Sequence, residues 1–333
     1  MKRKTFSYAK YGYIFSIPFV VAFTLFTLFP ILFTFFLAFS DLKGILSVPW
    51  EEFLSNPIVN FFTFVKNHFV GFQQFITVLK APSFQIGFFN TVVIWLANFI
   101  PQMFLALLIA AWFTDKRCKI KGQGFFKVIF YLPNIITAAT IALLFANFFN
   151  YPEGPMNSLL RILHILGEKE SIEFLRDGWF ARGVIIFIQT WMWYGYTSIV
   201  LMSGILGISP ELFEAAEVDG AGRMQTFFKI TLPNIKTIML FTLVTSIIGG
   251  LNMFDIPKLF LDGKPDNATL TTAVYIYNQA FMNTPNMYAR AAAASIIMFA
   301  IICVISAFMF YLLRDKDEVA LRKIVRKQEK EYK

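Results

Sequence analysis

Long apolar stretches, separated by polar and basic connections, organise this chain. Six of them are long enough to cross a bilayer, which takes about 20 helical residues. They run roughly over Tyr11–Phe39, Ile86–Phe113, Phe125–Phe149, Phe180–Leu206, Thr237–Phe260 and Tyr288–Leu313. Pro18, Pro30, Pro101, Pro133 and Pro257 fall inside them, as kinks or ends that packed membrane helices tolerate. The first stretch follows a basic start, as in a signal peptide. It is much longer than the about 7–15 apolar residues of such a peptide, and no small-residue cleavage site follows it. It reads as a retained span. The pattern predicts an all-α integral membrane protein with six transmembrane helices over residues 11–313. A basic segment, 1–10, precedes them and a second, 314–333, follows.

Charge orients the spans. On one side, the N-terminus, Lys116–Lys121, Arg223, Lys229, Lys236 and the tail together hold nineteen Lys and Arg. The other side holds ten, seven in the longer connections 40–85, 150–179 and 261–287 and three, Arg182, Lys258 and Arg290, in the adjoining ends of the spans. Basic residues accumulate in the cytoplasm, so both termini and the 209–235 loop are expected there. This asymmetry accounts for the net charge of +9 without a nucleic-acid partner. The tail reads as a solvated helix beside anionic headgroups. Composition agrees with a membrane protein: 57% of residues are apolar and 42 are Phe, well beyond soluble norms. Cys118 and Cys303 suggest neither a disulfide framework nor a metal site. His68 and His164 are isolated and suggest no catalytic pair. Val59–Leu79 reads as a short surface helix, which would cover helix ends or offer a platform to an external partner.

One cytoplasmic connection carries a pattern of its own, ELFEAAEVDGAGRMQTFFKITLPNI over Glu211–Ile235. Ser209 can cap a helix, Pro210 suits its first position, and Glu211 faces its positive end. Gly220 is a natural left-handed stop. Met224–Ile230 forms a second short helix anchored by Phe227, Phe228 and Ile230, and Leu232-Pro233 turns the chain into the fifth span. A rigid helix–turn–helix on the inner surface would be a docking element. An ordinary amphipathic loop accounts for the same residues. Phe125-Phe126-Lys127 with Leu132-Pro133-Asn134-Ile135 recurs as Phe227-Phe228-Lys229 with Leu232-Pro233-Asn234-Ile235. Either a duplicated unit or reuse of an interfacial pattern explains that repeat.

The spacing carries a resemblance. Glu214-Ala215-Ala216, three residues, Gly220, nine residues, then Ile230-x-Leu232-Pro233 resembles the EAA signature of membrane-spanning permease subunits of ATP-binding-cassette importers. The fuller EAAEVDGAGRMQTFFKITLP is similar to the carbohydrate-uptake branch. Gly71-Phe72-Gln73-Gln74-Phe75, Asn90-Thr91-Val92 and Tyr131-Leu132-Pro133-Asn134 resemble its earlier landmarks. The relative in view is the larger maltose-permease subunit, whose extra N-terminal helices and large external domain have no counterpart here. The basic tail resembles the first of the two carbohydrate permeases.

The resemblance implies a type I importer permease fold in a bacterial cell membrane. It implies a heterodimer with a second homologous permease, two copies of a cytoplasmic ATP-binding subunit, an extracytoplasmic solute-binding protein and a sugar substrate. Glu214, Ala215, Ala216, Asp219, Gly220, Ile230, Leu232 and Pro233 would form the joint to the ATPase, with Glu214 its polar contact and Gly220 its bend. The chain has no GxxxxGK[ST] phosphate loop. ATP and Mg would therefore be bound by the partner, with no cofactor and no enzymatic site in this chain.

Polar and aromatic groups inside the fourth and fifth stretches mark a candidate solute path. The fourth holds Gln189, Trp191, Trp193, Tyr194 and Tyr196; the fifth holds Ser246, Gly249, Gly250, Asn252 and Met253. Aromatic faces cover the C–H face of a sugar ring, and amides and hydroxyls satisfy its hydroxyls. Interfacial anchoring and tight helix packing explain the same residue types. By resemblance, sugar contacts in the maltose relative lie on these two helices; Gly249 and Gly250 replace larger residues there, which points away from maltose itself. Asp255 and Lys258, three apart on a helix, are placed to pair. The expected solute is a di- or oligosaccharide. A glycerol phosphodiester would need pore-facing Arg or Lys and a polyamine would need acids. An ion-coupled secondary transporter would need buried titratable groups, and a membrane scaffold would make the cluster accidental.

Overall fold

A computed structural model describes residues 9–42, 63, 66–115, 117, 118 and 120–313. The basic tail, the start of the N-terminal segment and the first residues of the Val59–Leu79 stretch lie outside the described residues. Regular structure among the described residues is helical, apart from one antiparallel bridge between Ser40 and Phe69.

Five helices are long and apolar enough to cross a membrane: Tyr11–Ala38, Pro82–Thr114, Gly178–Leu206, Lys236–Phe260 and Tyr288–Leu312. At 1.5 Å per residue they reach roughly 37 to 50 Å, beyond the about 30 Å of hydrocarbon. The apolar stretch from Phe125 to Phe149 is not one straight helix. It is Gln123–Ile135 followed by Ala138–Phe148, bent by 89°. Pro133 removes a backbone donor from the last turn of the first part. Ile136 and Thr137 are extended, and Thr137 caps the second part by accepting from the Thr140 N–H at 3.3 Å. Within Lys236–Phe260, regular helix stops at Leu251 and resumes at Asp255.

Two compact units divide the chain, Met1–Ala81 with Ile276–Ile297, and Pro82–Tyr275 with Met298–Lys333. In the first, the Tyr11–Ala38 helix carries mostly apolar side chains, and its Ser16 and Thr34 hydroxyls donate back to Gly12 O and Pro30 O, each at 2.8 Å, as polar groups in a membrane span must find partners. After it, Val70 N–H donates to Phe39 O at 2.8 Å and Asp41 N–H to His68 O at 3.1 Å, and the Phe39 ring packs on Phe69, Phe72 and Phe75. The Gln73–Lys80 helix follows.

In the second unit, Gly178–Leu206 is the central helix and packs along Pro82–Thr114 and Gln123–Ile135. Ile94, Ile185, Ile188 and Ile256 fill one apolar layer, and Ala106, Leu201, Ile205 and Ile235 a second. Between them a Cβ on Gly195 would collide with the Phe130 backbone, so glycine permits the close crossing. Polar bonds fix the register: Gln102 Nε2 donates to Thr197 Oγ1 at 2.8 Å, and Thr190 Oγ1 to Asn98 O at 3.3 Å. At the opposite end from the 209–235 loop, fully buried Asn90 donates to Asn267 O and Leu270 O at 2.8 and 3.0 Å and accepts from Arg182 Nε at 3.2 Å. This residue, one of the quoted landmarks, pins the 267–272 segment to two helices.

Candidate functional site

Glycine and proline chemistry shapes the 209–235 loop. Pro210–Val218 is helical, with Ser209 at the N-cap and Glu211 in the first turn. Ser209 makes no side-chain capping bond, so the start rests on the preset φ of Pro210 and the charge of Glu211. The end is a Schellman turn. Ala221 N–H donates to Ala216 O at 2.8 Å and Gly220 N–H to Glu217 O at 3.1 Å. The turn needs Gly220 at φ +72°, where a side chain costs roughly 1–2 kcal/mol. The chain restarts at Gly222, whose N–H donates to Gln225 Oε1 at 3.1 Å, and Arg223–Thr226 forms one helical turn. Phe227–Thr231 is a π turn, and Leu232–Asn234 leads into the Lys236–Leu251 helix.

Burial sorts the residues of this loop. Ala216 is turned inward, Ile230 and Leu232 are half-buried, and Glu214, Ala215, Asp219, Gly220 and Pro233 are exposed. A cleft of about 740 Å³ separates the loop from the end of the Pro82–Thr114 helix. Its walls include Leu108, Trp112, Phe213, Phe227 and Leu232, and its charged groups are Asp115, Arg117, Glu214, Glu217 and Arg223. Asp115 is the member that sequence reasoning missed. Its Oδ2 lies 3.3 Å from Arg223 Nε, and its Oδ1 lies 3.3 Å from Arg117 Nε and accepts the Arg117 N–H at 2.9 Å. Nothing local in the sequence links Asp115 to a loop so far along the chain.

The candidate solute residues fall into separate groups. Trp191 packs edge-on against Phe145 at 6.1 Å and joins the same apolar layer as buried Met253. Tyr194 leans on Phe130 at 6.0 Å, beside the second layer. Ser246 accepts from Trp95 Nε1 at 3.2 Å, and a Cβ on Gly250 would enter the Trp95 ring. Trp95, on the Pro82–Thr114 helix, is therefore a further residue of this region. Four groups keep open faces: Trp193 and Tyr196, 6.0 Å apart edge to face, and Gly249 and Asn252, three apart on one exposed helix face. Gln189 is 8% exposed, yet its side chain forms no hydrogen bond with any described residue. Among the described residues no hydrogen bond joins the Gln189–Tyr196 set to the Ser246–Met253 set.

The helix break at 252–254 lies within the second set. Such breaks free backbone groups that must find other partners. Met253 O takes the Thr271 hydroxyl at 2.9 Å, and the Asn252 amide donates to Ile248 O at 2.8 Å. Beyond the break the expected Asp255–Lys258 pair does not form. Lys258 Nζ meets Asp262 Oδ1 at 2.6 Å, one helical turn on, while Asp255 sits exposed in the first turn. A four-residue spacing that continues past the helix end brings Asp262 back over Lys258, and Asp255 gains more from the positive N-terminus it occupies.

The chain is similar to known transport proteins over most of its length. A family profile described as "Binding-protein-dependent transport system inner membrane component" matches residues 13–317. The lactose transport system permease protein of Rhizobium radiobacter is 31% identical over 250 residues, covering 74% of this chain and 82% of that protein. A solved bacterial ABC transporter involved in the import of the acidic polysaccharide alginate has a chain that superposes with a TM-score of 0.73 at 25% identity, covering 91% of this chain and 94% of that one. The alginate transporter solved in complex with an alginate pentasaccharide-bound periplasmic protein gives 0.69 at 25% identity, covering 91% and 93%.

Proposed function

The chain belongs to the binding-protein-dependent transport system inner membrane component family, and from that premise we propose that it is the permease subunit of an ATP-driven sugar importer. It is a multi-pass membrane protein. The observation that carries the mechanism is the 209–235 loop: an exposed acidic and alanine-rich helix, a glycine turn that stops it, and a cleft behind it. In this reading the loop lies in the cytoplasm and docks on an ATP-binding subunit through Glu214, Ala215, Ala216, Asp219 and Gly220. Ile230, Leu232 and Pro233 carry the displacement into the fifth span. Two ATP-binding subunits, with their ATP and Mg, and a second homologous permease complete the machine, and an extracytoplasmic binding protein delivers the solute. The relatives that transport lactose and alginate support a saccharide cargo here.

For the solute path we propose Gln189, Trp193, Tyr196, Gly249 and Asn252 as contacts, with Trp191, Tyr194, Ser246, Gly250 and Met253 shaping the walls behind them. Support comes from the unpartnered Gln189 amide, the exposed aromatic pair and the helix break. Burying a sugar hydroxyl without a partner costs a few kcal/mol, so an amide with no bond to the described residues, as at Gln189, suits such a cargo. The test is uptake into vesicles holding the full complex and binding protein, with a panel of di- and oligosaccharides, a glycerol phosphodiester and a polyamine. The reading predicts that a saccharide is taken up best and that Gln189→Ala changes its kinetics or the order of preference within the panel. Preference for the phosphodiester or the polyamine, with saccharides not transported, would overturn it.

A further inference from the structure

We propose that Asp115 is a positioning residue that ties the far half of the 209–235 loop to the end of the Pro82–Thr114 helix, so that displacement of the loop pulls on that span. This rests on the transport reading above and adds a residue to it.

The loop is shaped from within but held weakly from without. Its capping and turn bonds are local, and among residues 209–235 only Ala216, Thr226, Thr231 and Ile235 are buried, the last in the apolar layer shared with Ala106 at the loop's junction with the fifth span. Phe213 anchors the first helix in an apolar layer. That contact precedes the Gly220 turn, and an apolar contact sets no direction. Beyond the turn, the Arg223–Asp115 pair is the one ion pair among the described residues that leaves the loop.

Asp115 is built to serve as the fixed end. It directly follows the Pro82–Thr114 helix, and its N–H donates to Ala111 O at 3.2 Å, which continues the last turn. An acid at a helix C-terminus meets the negative end of the helix dipole, so it needs cations to sit there comfortably. Arg117 occupies Oδ1 through both its N–H and its Nε, and this sets the carboxylate so that Oδ2 faces Arg223. The Asp115 side chain is 20% exposed against 60% for Arg223. The anion is thus held on the span while the cation rides on the loop.

The experiment uses the complete transporter in vesicles and reads ATP hydrolysis and solute uptake separately. Asp115→Asn keeps size and an acceptor for Arg117 but removes the charge. Solute moved per ATP should fall about two- to fivefold, the range an exposed ion pair supplies. Arg223→Gln should give the same loss, Asp115→Glu should recover most of it, and the double variant should be no worse than either single one. Additive losses, or a wild-type ratio of uptake to hydrolysis in both single variants, would overturn the proposal. If Asp115→Asn does not assemble, Arg223→Lys against Arg223→Gln decides: the charge-preserving variant must stay coupled, and equal behaviour of the two rejects the tether. A wild-type complex that takes up solute without ATP would reject the transport reading, which is a different result from a coupled wild type with indifferent variants.

Discussion

Gly220 carries a sharp residue-scale constraint. Its φ of +72° places it where only glycine is comfortable, and nothing lies within 4 Å of the site a Cβ would take. The penalty for a side chain is therefore conformational and not steric crowding by neighbours. Val, branched at Cβ, is poorly suited to this region, whereas Asn visits it more readily. Gly220→Val should cut ATP-driven uptake by about tenfold, in line with a cost of roughly 1–2 kcal/mol at a joint that must keep its angle. Gly220→Asn should be milder, and the amount of protein in the membrane should stay at the wild-type level for both. Quantitative immunoblots of membranes beside uptake rates check this; equal uptake by Gly220→Val would remove the turn from the mechanism.

This turn was legible in the sequence because the chemistry that makes it is local. Asp115 was not, because its partner Arg223 is distant in sequence and acids near basic loops are common. That Trp191 and Met253 share one apolar layer was not legible, because residue type alone does not report which helix face is buried. Lys258 found Asp262 instead of Asp255 because the turn after the helix ends at Phe260, with Asp262 at φ +49°, folds that acid back onto Lys258.

At the scale of elements, hydropathy located the apolar stretches but not their interruptions. The 89° bend at 136–137 and the break at 252–254 both lie inside runs that are apolar overall. Pro133 hinted at the first, while the second is marked by Gly249, Gly250 and Asn252 before it and by Asp255 and Pro257 in the first turn after it, residue types that a packed membrane helix also tolerates. Which side of the membrane each connection occupies rests on the count of Lys and Arg, and the chain carries its own probe of that. Cys118 lies in the turn that lines the cleft behind the loop, and Cys303 lies within the apolar Tyr288–Leu313 helix. A membrane-impermeant maleimide should label Cys118 in inside-out vesicles and leave it unmodified in right-side-out vesicles, with Cys303 shielded in both. Labelling of Cys118 from the outside would invert the assigned topology and detach the loop from any cytoplasmic motor.

At the scale of the whole molecule, the loop and the solute residues answer different questions. In the proposed mechanism the loop bears on how the permease is driven: its glycine turn and exposed helix are local devices for passing on a displacement, and the Asp115–Arg223 pair would link them to a distant span. The groups on the Gly178–Leu206 and Lys236–Phe260 helices bear on what is carried, and their arrangement emerges only from packing. That division explains why drive was the more legible of the two. The central claim is that solute movement depends on a separate ATP-hydrolysing partner. Its most direct test is solute accumulation in vesicles containing this chain, its permease partner and the binding protein, with and without the ATP-binding subunits. The account predicts accumulation only when those subunits and ATP are both present. Accumulation that persists without them, driven by an ion gradient, would contradict it.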